Sequence, residues 1–519
     1  MPHSGSQDDA ARRQQRGQPS GAGFARSGGR RSAWRGTGAT LATALAALTA
    51  GCSAYSVKSH PSPAAEWPDA FPSAPASPTA TVEPGAIEPP AVEAWWQAFG
   101  DAHLDALIRE SLDSALDVRG AFARLEQARA RAEQAGSPLA PRVDAFAARS
   151  ASNVGASSIG DLADDAVDVT ELGLLASWEL DLFGRLSAIR SAAELDAQAA
   201  AEDLAALRLS LSAEVADTFF LALEQVLQLR LLAAQIELDR TLLELTELRF
   251  AQGAASAVDV LQQRGQVAAT EALVPRAQAT RRLAENRLDV LLGRPPDGHD
   301  RVQGLAFTEL PPLPEPGLPA ELLLRRPDLR ARLADVSARD HAVGAAVAER
   351  FPRLALTGAL ARQDVEGQRG WAGSLAAELL GPLVDGGQRR AVVAERRAAL
   401  EESLAALTGA ALRAFEEVDG ALWAEQRQRD ELEVLRRRER ILQVNVIEAR
   451  NRYANGLTDY LSVLVAVNDV QEVQRDVLLR TRELLSRRVE LHRALGGALP
   501  ADATLAGAFD PQALPGTDS

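Results

Sequence analysis

The chain has 519 residues, which is too long for one compact core at the usual allowance of about 150 residues per domain. Hydrophobic residues make up 46% of it but aromatic residues only 4%, a balance typical of long packed helices rather than of an aromatic-lined enzyme cleft. The net charge of -15 argues against a surface that binds nucleic acid, because such a surface needs basic residues. A single cysteine excludes an intramolecular disulfide and a thiolate zinc site.

Residues 1–51 predict an export signal peptide. Seven arginines and two aspartates are followed by an Arg-free, small and apolar stretch from 36 to 51. That stretch is too short for a spanning helix, and no later stretch reaches about 20 apolar residues without charges. Cleavage before Cys52 would leave 49 basic and 69 acidic residues, a net charge of -20.

The sequence at residues 48–52 (LTAGC) resembles the lipobox of bacterial lipoproteins, although Leu48 stands one place early. In that motif the cysteine after the cleavage site carries the lipid, so we expect N-acyl and S-diacylglycerol groups on Cys52. The alternative is a free cysteine at an ordinary cleavage site. Residues 52–91 contain nine prolines between Pro61 and Pro90, which predict an extended linker between this lipid anchor and the folded chain.

The remainder is a tandem repeat. Residues 249–253 (RFAQG) recur as 452–456 (RYANG), an offset of 203 that also relates Gly184 to Gly387. The first repeat is expected at 92–293 and the second at 320–496. A Pro-rich connector at 294–319 joins the repeats, and 497–519 form a flexible tail.

Each repeat is predicted to contain a hairpin of strands. In the first repeat, apolar residues from Leu172 to Leu182 alternate with more polar ones, as in a strand between lipid and an aqueous lumen. An ordinary soluble sheet with one buried face is the alternative. The predicted strands are 142–153 and 169–183 in the first repeat, and 353–362 and 371–383 in the second.

Long helices follow each predicted hairpin. Two uninterrupted stretches of 64 residues, 185–248 and 388–451, correspond to helices on the order of 96 Å long. Further helices are predicted at 113–138, 257–293 and 458–495, with the first of these stacked end to end on a return helix. A coiled-coil seam is predicted through Val215, Phe219, Ala222, Val226, Leu229, Ala233 and Ile236.

Four strands cannot close a barrel, because about eight are the minimum, and open strand edges are not tolerated in lipid. Three copies would supply twelve strands and arrange their helices as a hollow cylinder. If the strands are embedded in a membrane, the fold class is mainly α with transmembrane β, and a trimer would form a long coiled-coil α-barrel and a 12-stranded β-barrel.

The chain resembles the outer-membrane factors of tripartite efflux pumps, of the TolC and OprM type, particularly their lipoprotein branch. The matching residues are 95–101 (WWQAFGD) with Leu104 and Leu107, 177–185 (SWELDLFGR), 322–329 (LLLRRPDL) and 383–387 (LVDGG). The resemblance implies a homotrimeric conduit that is lipid-anchored in the outer membrane, projects into the periplasm and exports drugs or other small toxic compounds. It also implies a periplasmic membrane-fusion adaptor as partner and, indirectly, an inner-membrane transporter of the resistance-nodulation-division (RND) type.

The resemblance further implies that turns at Gly253 and Gly456 form periplasmic tips where the adaptor docks. The tip candidates are Arg249, Gly253, Arg452, Tyr453, Gly456 and Thr458, and the gate candidates are Asp259, Asp459, Ser462, Val465 and Asp469. Helix capping or solvated charge is the alternative role for each. Relatives ring the closed aperture with carboxylates, but the matching positions here are Ser462 and Val465. We therefore hypothesise an apolar gate that is poorly sensitive to divalent cations.

No enzymatic motif is evident. The sequence contains no phosphate-binding loop, no paired-histidine zinc helix and no nucleophile elbow, and its six histidines are scattered. We expect a protein that is not an enzyme, with no metal and no cofactor besides the lipid. Two other functions stay open at this point, namely a conduit for type I protein secretion and a lipid-tethered periplasmic scaffold without a pore.

Overall fold

The computed structural model describes most of both repeats. The described residues are 54–58, 67–68, 70–74, 94–153, 166–302, 306–365 and 368–497. The predicted signal peptide, Cys52, most of the linker 52–91 and the tail beyond Gly497 lie outside them.

Two successive sets of elements have the same order, with helices followed by two strands, one very long helix and a return helix. The first set consists of α1 (Ala102–Ser114), α2 (Leu116–Gly136), β1 (Arg142–Asn153), β2 (Ala166–Leu180), α3 (Arg185–Ala251) and α4 (Ala257–Leu291). The second set consists of α5 (Pro327–Ala348), β3 (Arg353–Val365), β4 (Gln368–Leu380), α6 (Gln388–Ala454) and α7 (Tyr460–Ala494). The tandem repeat is thus visible in the fold itself.

The long helices α3 and α6 each have 67 residues, or about 100 Å at 1.5 Å per residue. The helix expected at 113–138 is α2, which begins only at Leu116 because Ala115 adopts an extended conformation with ψ 132°. The preceding helix α1 was not predicted. The carboxylate of Asp101 caps α1 by accepting from the backbone N–H groups of His103 and Leu104.

The predicted end-to-end stacking is present. Hydroxyl groups of Ser111 and Ser114 donate to the carbonyl oxygens of Leu291 and Leu292, both at 2.8 Å, so the α1–α2 junction meets the end of α4. Gly293 makes this approach possible, since a Cβ there would lie 2.6 Å from the carbonyl oxygen of Ser114. In the second repeat, Arg326 donates to the carbonyl oxygen of Ala494 at 3.2 Å, which joins the start of α5 to the end of α7.

The predicted coiled-coil seam on α3 is correct only in its first half, up to Val226. Val215, Phe219, Ala222 and Val226 are buried, but Ala233 is exposed. Below Val226 the buried positions are Leu232, Gln235, Asp239, Leu242 and Thr246, which have the same three-and-four spacing but include polar residues. After Val226, the hydropathy pattern therefore predicted the wrong face of α3 as the buried one.

Among the residues that the structure describes, one helix is long and apolar enough, by length and composition alone, to cross a membrane. It is α3, and half of its most apolar window is buried inside the protein. That burial is typical of a core helix, and the helix also contributes Phe219 and Phe220 to the main hydrophobic core.

A buried ion pair holds the connector between the repeats. Arg488 on α7 is fully buried, and its guanidinium forms two hydrogen bonds with Glu425 on α6, at 2.6 and 2.9 Å. It also donates to the carbonyl oxygens of Pro311 and Pro312 in the connector. Burial and the charge of Arg488 lower the pKa of the neighbouring His492 to about 4, so that this imidazole is neutral where it stacks on Trp95.

Asp217 on α3 is a half-buried acid that makes the stability of the protein dependent on pH. Burial raises its pKa to about 6, an effect that the hydroxyl of Ser486 offsets only in part. Because the pKa in the folded state is above the value of 3.8 for an exposed aspartate, Asp217 favours folding at low pH and this contribution is lost as pH rises through 6.

We therefore expect Asp217→Asn to stabilise the protein by up to about 3 kcal/mol at pH 8 and to have progressively less effect towards pH 4. Urea unfolding of the detergent-solubilised protein at several pH values measures this difference. Glu237→Gln, which changes an exposed acid on the same helix, is the matched control and should leave the midpoint unchanged. An equal gain from Asp217→Asn at pH 4 and pH 8 would contradict the assignment.

Candidate functional site: the strand sheet and the helical tips

The four strands form one antiparallel sheet in the order β1-β2-β3-β4. Val143 lies opposite Ala176, which lies opposite Gly358, which in turn lies opposite Leu375, so a straight row of side chains crosses all four strands. Within the described chain, β1 and β4 each pair on one side only. The sheet therefore has two open edges.

One face of this sheet is apolar, as the period-two pattern predicted. Leu375 is 87% exposed and Trp371 is 70% exposed, although both are large hydrophobic residues. The apolar residues and glycines that share this face in the register are Val143, Ala145 and Ala147 on β1, Leu172, Leu174, Ala176, Trp178 and Leu180 on β2, Leu354, Leu356, Gly358 and Leu360 on β3, and Trp371, Gly373, Leu375, Ala377 and Leu379 on β4. Arg362 stands in the row of Leu172 and Trp371, and the row beyond it is polar. A continuous exposed apolar face of this kind is required against lipid.

The opposite face consists mainly of small and acidic residues. Glu171 on β2 accepts a hydrogen bond from the amide of Gln363 on β3 at 2.6 Å. Its other members include Asp144, Gly173, Ser177, Glu179, Thr357, Ala359, Ala361, Ala372, Ser374, Ala376 and Glu378, together with the larger Arg142, Phe146, Leu175 and Arg353. Side chains of this size and polarity line an aqueous lumen without filling it.

Aspartates mark the point where each hairpin passes into a long helix. Asp181 accepts from the backbone N–H groups of Leu186 and Ser187, and Asp385 accepts from those of Gly387 and Arg389. These caps explain why β2 ends at Leu180 and β4 at Leu380, three residues before the predicted strand ends.

At the far end of each long helix, a glycine in the left-handed conformation reverses the chain. Gly253 has φ 75° and Gly456 has φ 71°. The N–H of Ala254 donates to the carbonyl oxygen of Arg249 at 2.8 Å, and the N–H of Leu457 donates to that of Arg452 at 2.9 Å. Both turns are therefore Schellman motifs, so the repeated glycines have a conformational role.

Acidic and hydroxyl residues then start the return helices. Ser256 and Asp259 form a capping box at the start of α4. Asp459 caps α7 by accepting from the backbone N–H and the hydroxyl of Ser462, while Thr458 and Ser462 share a hydrogen bond of 2.9 Å. Helix capping, the alternative role considered for the candidates, is thus observed for Asp259 and Asp459.

An aromatic cluster joins the two tips. The guanidinium of Arg249 lies 4.3 Å from the ring centroid of Tyr453, and the rings of Tyr453 and Tyr460 are 5.5 Å apart. The Tyr460 hydroxyl donates to the amide oxygen of Gln263 on α4. Tyr453 is buried, whereas Arg452 is exposed, so of these two tip candidates only Arg452 presents its side chain to a partner.

A buried polar cluster lies beyond the aromatic cluster, further from the two tips. Asp239 on α3 is fully buried and accepts hydrogen bonds from Thr270 on α4 at 2.8 Å and from Gln471 on α7 at 2.7 Å. Burial raises the pKa of Asp239, because the hydrogen bonds from Thr270 and Gln471 only partly compensate for the lost water. These contacts join three helices, and the sequence did not single out any of the residues.

Three of the gate candidates, Ser462, Val465 and Asp469, lie on one face of α7. Val465 is 49% exposed, Ser462 lies three residues before it, and the half-buried Asp469 follows four residues later. Spacings of three and four residues place side chains on one side of a helix. The next acid after Val465 on this face is therefore Asp469, about 6 Å further along the axis of α7.

Parts of the predicted linker lie against the helices rather than free of them. Tyr55 donates to Asp340 on α5, and the backbone N–H of Lys58 donates to the same carboxylate at 2.8 Å. Burial and the Asp340 carboxylate raise the pKa of Tyr55 to about 12, which keeps the hydroxyl protonated as a donor. Further along, Trp67 and Phe71 pack on Phe415 of α6, with centroids 5.5 and 5.3 Å apart.

These features match a known family. A family model described as outer membrane efflux protein matches residues 107–294 and 318–497, one segment in each repeat. The chain belongs to the outer membrane efflux protein family. It is accordingly an outer-membrane channel component of an efflux system.

Relatives of known function support this assignment of the efflux protein. It is 32% identical over 433 residues to the pyoverdine export outer membrane protein OpmQ of Pseudomonas aeruginosa, with 79% of this chain and 88% of that protein covered. It is 31% identical to the outer membrane protein OprJ of the same organism, with coverage of 78% and 86%. The probable outer membrane lipoprotein SilC of Salmonella typhimurium is 26% identical, with coverage of 78% and 87%.

Solved structures agree on the fold. The outer-membrane channel OprN superimposes with a TM-score of 0.71 at 30% identity, over 79% of this chain and 93% of that one. The outer membrane protein VceC of Vibrio cholerae superimposes with a TM-score of 0.72 at 26% identity, over 78% and 99%. A channel fold of this kind is incompatible with the alternative of a scaffold without a pore.

Proposed function

We propose that three copies of this efflux protein form the conduit of a tripartite RND-type efflux system. The observation that carries the proposal is the four-stranded sheet with two open edges and one exposed apolar face. Open edges cannot persist in hydrocarbon, so β4 of one copy must pair with β1 of the next. Three copies supply twelve strands, an even number that closes around a lumen.

A heat-modifiable trimer tests the assembly. Unheated detergent gels of outer-membrane fractions should show a band at three times the mass of one chain, and boiling should convert it to the monomer. Such resistance is expected because a closed barrel has no free strand edge at which detergent unfolding can start. A band at one chain mass without heating, in material fractionating with the outer membrane, would contradict the trimer.

We further propose that the tips dock a periplasmic adaptor. Phe250 and Leu457, beside the two tip glycines, are 49% and 68% exposed, and Arg452 is exposed next to them. Exposed apolar residues at a helix end favour packing against another helical hairpin. A photo-cross-linker at Leu457 should capture the adaptor in cells, whereas one at Leu383, which is 99% exposed at the opposite end of α6, should not.

We also propose a lipid anchor on Cys52. Tyr55 follows Cys52 by three residues, and it packs beside Gly344 near the end of α5 that leads into β3. The residues at 48–52 (LTAGC) resemble a lipobox, whose cysteine carries the lipid. Radiolabelled palmitate should enter the wild-type protein and be lost in Cys52→Ala. Equal labelling of the two proteins would exclude this site.

The closed gate is proposed to be apolar at Val465. Because three valines offer no ligand to a cation, we expect millimolar divalent cations on the periplasmic side to leave the current through planar bilayers almost unchanged. Val465→Asp should introduce block in the roughly millimolar range, since three carboxylates would then meet near the axis. Strong block of the wild-type channel at the same concentrations would contradict an apolar gate.

A further inference from the structure

The tandem repeat indicates how the edge strands β1 and β4 meet between copies. The lipid-facing side of the sheet is its apolar face, and the lumen side is the opposite face. Within one copy, β2 and β3 join the first hairpin to the second. We propose that β4 of one copy pairs with β1 of the next in the register of β2 and β3, so that Leu380 lies opposite Phe146, and Glu378 opposite Ala148, of the next copy. This inference rests on the proposed trimer and specifies the contact between its copies.

The two hairpins have the same internal register, so their strands correspond residue by residue. Arg142 lies opposite Ser177 in the first hairpin, and Arg353 lies opposite Leu380 in the second. Arg142 and Arg353 are 211 residues apart. Ser177 and Leu380 are 203 residues apart, which is also the offset between the two tip glycines. In this correspondence β1 is the counterpart of β3, and β2 is the counterpart of β4.

The pairing of β2 with β3 can therefore be transferred to the junction between copies. Both kinds of junction join the second strand of one hairpin to the first strand of the next. Within the chain, Ser177 lies opposite Thr357, and Leu175 lies opposite Ala359. A common register would stagger the strands evenly around the closed barrel. The counterparts of these two pairs at the junction between copies are Leu380 with Phe146 and Glu378 with Ala148.

The side chains of the edge strands favour this register independently. Phe146 and Leu380 are the large apolar residues on the lumen side of β1 and β4, and Leu380 is 68% exposed in a single copy. In the proposed register they lie directly opposite each other, with Cβ atoms about 5 Å apart, so each shields the other from water in the lumen. A slip of two residues would place Leu380 opposite Asp144 or Ala148 instead. A slip of one residue would place the apolar face of one strand beside the lumen side of the other.

Cysteine cross-linking between copies tests the register. Three double variants share Ala148→Cys, which is combined with Glu378→Cys for the proposed pair. The matched controls combine it with Ala376→Cys or Leu380→Cys, each two residues away on the same side of β4. The natural cysteine, Cys52, stays in place in every variant because it is proposed to carry the lipid. Each full-length variant is oxidised with copper phenanthroline in outer-membrane vesicles and then boiled without reductant for gel electrophoresis.

We expect covalent dimers and trimers from Ala148→Cys/Glu378→Cys, about fivefold more than from either control pair, and reductant should reverse them. The reason is distance, because directly opposite Cβ atoms are about 5 Å apart, diagonal neighbours are about 7–8 Å apart, and a disulfide needs roughly 4 Å. Stronger cross-linking with Ala376→Cys or with Leu380→Cys would overturn the register.

A double-mutant cycle gives a second measurement that needs no oxidation. Phe146→Ala and Leu380→Ala should each lower the temperature at which the trimer dissociates on gels. The double variant should lower it by less than the sum of the two shifts, because one contact can be lost only once. Additive shifts would contradict the contact. Unheated gels of each sample report the trimer separately, so an intact trimer without the expected cross-link overturns the register alone, and a wild-type chain without a trimer overturns the proposed assembly and the register with it.

Discussion

Replacing Leu375 by arginine is expected to abolish assembly of the efflux protein in the membrane, whereas replacing the adjacent Ser374 is expected to be tolerated. Leu375 lies in the middle row of the lipid-facing side, and Ser374 lies on the lumen side of the same strand. An arginine facing lipid near the bilayer midplane costs about 2–4 kcal/mol in an outer-membrane barrel. The trimer repeats this cost three times.

The two variants form a matched pair, because both place the same side chain on β4 one residue apart. Outer-membrane fractions and unheated gels should show the trimer for Ser374→Arg and little or none for Leu375→Arg. Conductance of the Ser374→Arg trimer should be altered, since three positive charges would line the lumen. Normal assembly of Leu375→Arg, or failure of Ser374→Arg alone, would reverse the assignment of the two faces.

Replacing Arg488 by methionine is expected to destabilise the protein by about 3–5 kcal/mol. The substitution leaves Glu425 buried and unpaired, and it removes the donors for the carbonyl oxygens of Pro311 and Pro312. Methionine fills similar space, so the loss reports the missing charge rather than a cavity. Thermal unfolding of the solubilised protein, followed by helical circular dichroism, measures the change.

The double variant Glu425→Leu/Arg488→Met is the control for this interpretation. Removing both charges should recover most of the stability, because the unpaired buried carboxylate is no longer present. A remaining deficit of about 1–2 kcal/mol is expected from the two connector carbonyls. If the double variant is as unstable as Arg488→Met, the buried carboxylate does not cause the loss.

The features most accessible from the sequence were those with a strict period. Alternation along 172–182 predicted the lipid-facing side of β2, since every second residue of a strand points to the same face. The repeated glycines Gly253 and Gly456 located the tips, because both turns require a left-handed residue. Long stretches free of proline gave the lengths of α3 and α6 to within three residues.

The features that could not be predicted from the sequence depend on contacts between distant segments. Asp239 looks like a solvated charge, and only the folded chain brings Thr270 and Gln471 to it from two other helices. The Pro-rich linker looks like a free tether, yet Tyr55 pairs with Asp340, 285 residues away. No local pattern signals either contact.

The sequence identified residues at both tips, but it did not predict all of the contacts between the tips. Arg249 and Tyr453 do meet, whereas Tyr460 and Gln263, which join α7 to α4, were not predicted. Asp259 and Asp459 cap the starts of α4 and α7. The sequence can signal this role, because Asp259 stands three residues after Ser256 and Asp459 stands three residues before Ser462. Gating by Val465 stays a prediction.

The central claim is that three copies close one 12-stranded barrel, and electron cryomicroscopy of the full chain in lipid nanodiscs tests it most directly. The account predicts a threefold particle in which β4 of each copy pairs with β1 of the next and the helices continue as a hollow cylinder about 100 Å long. A particle with a different number of copies, or helical rods attached to sheets whose edges remain unpaired, would contradict it.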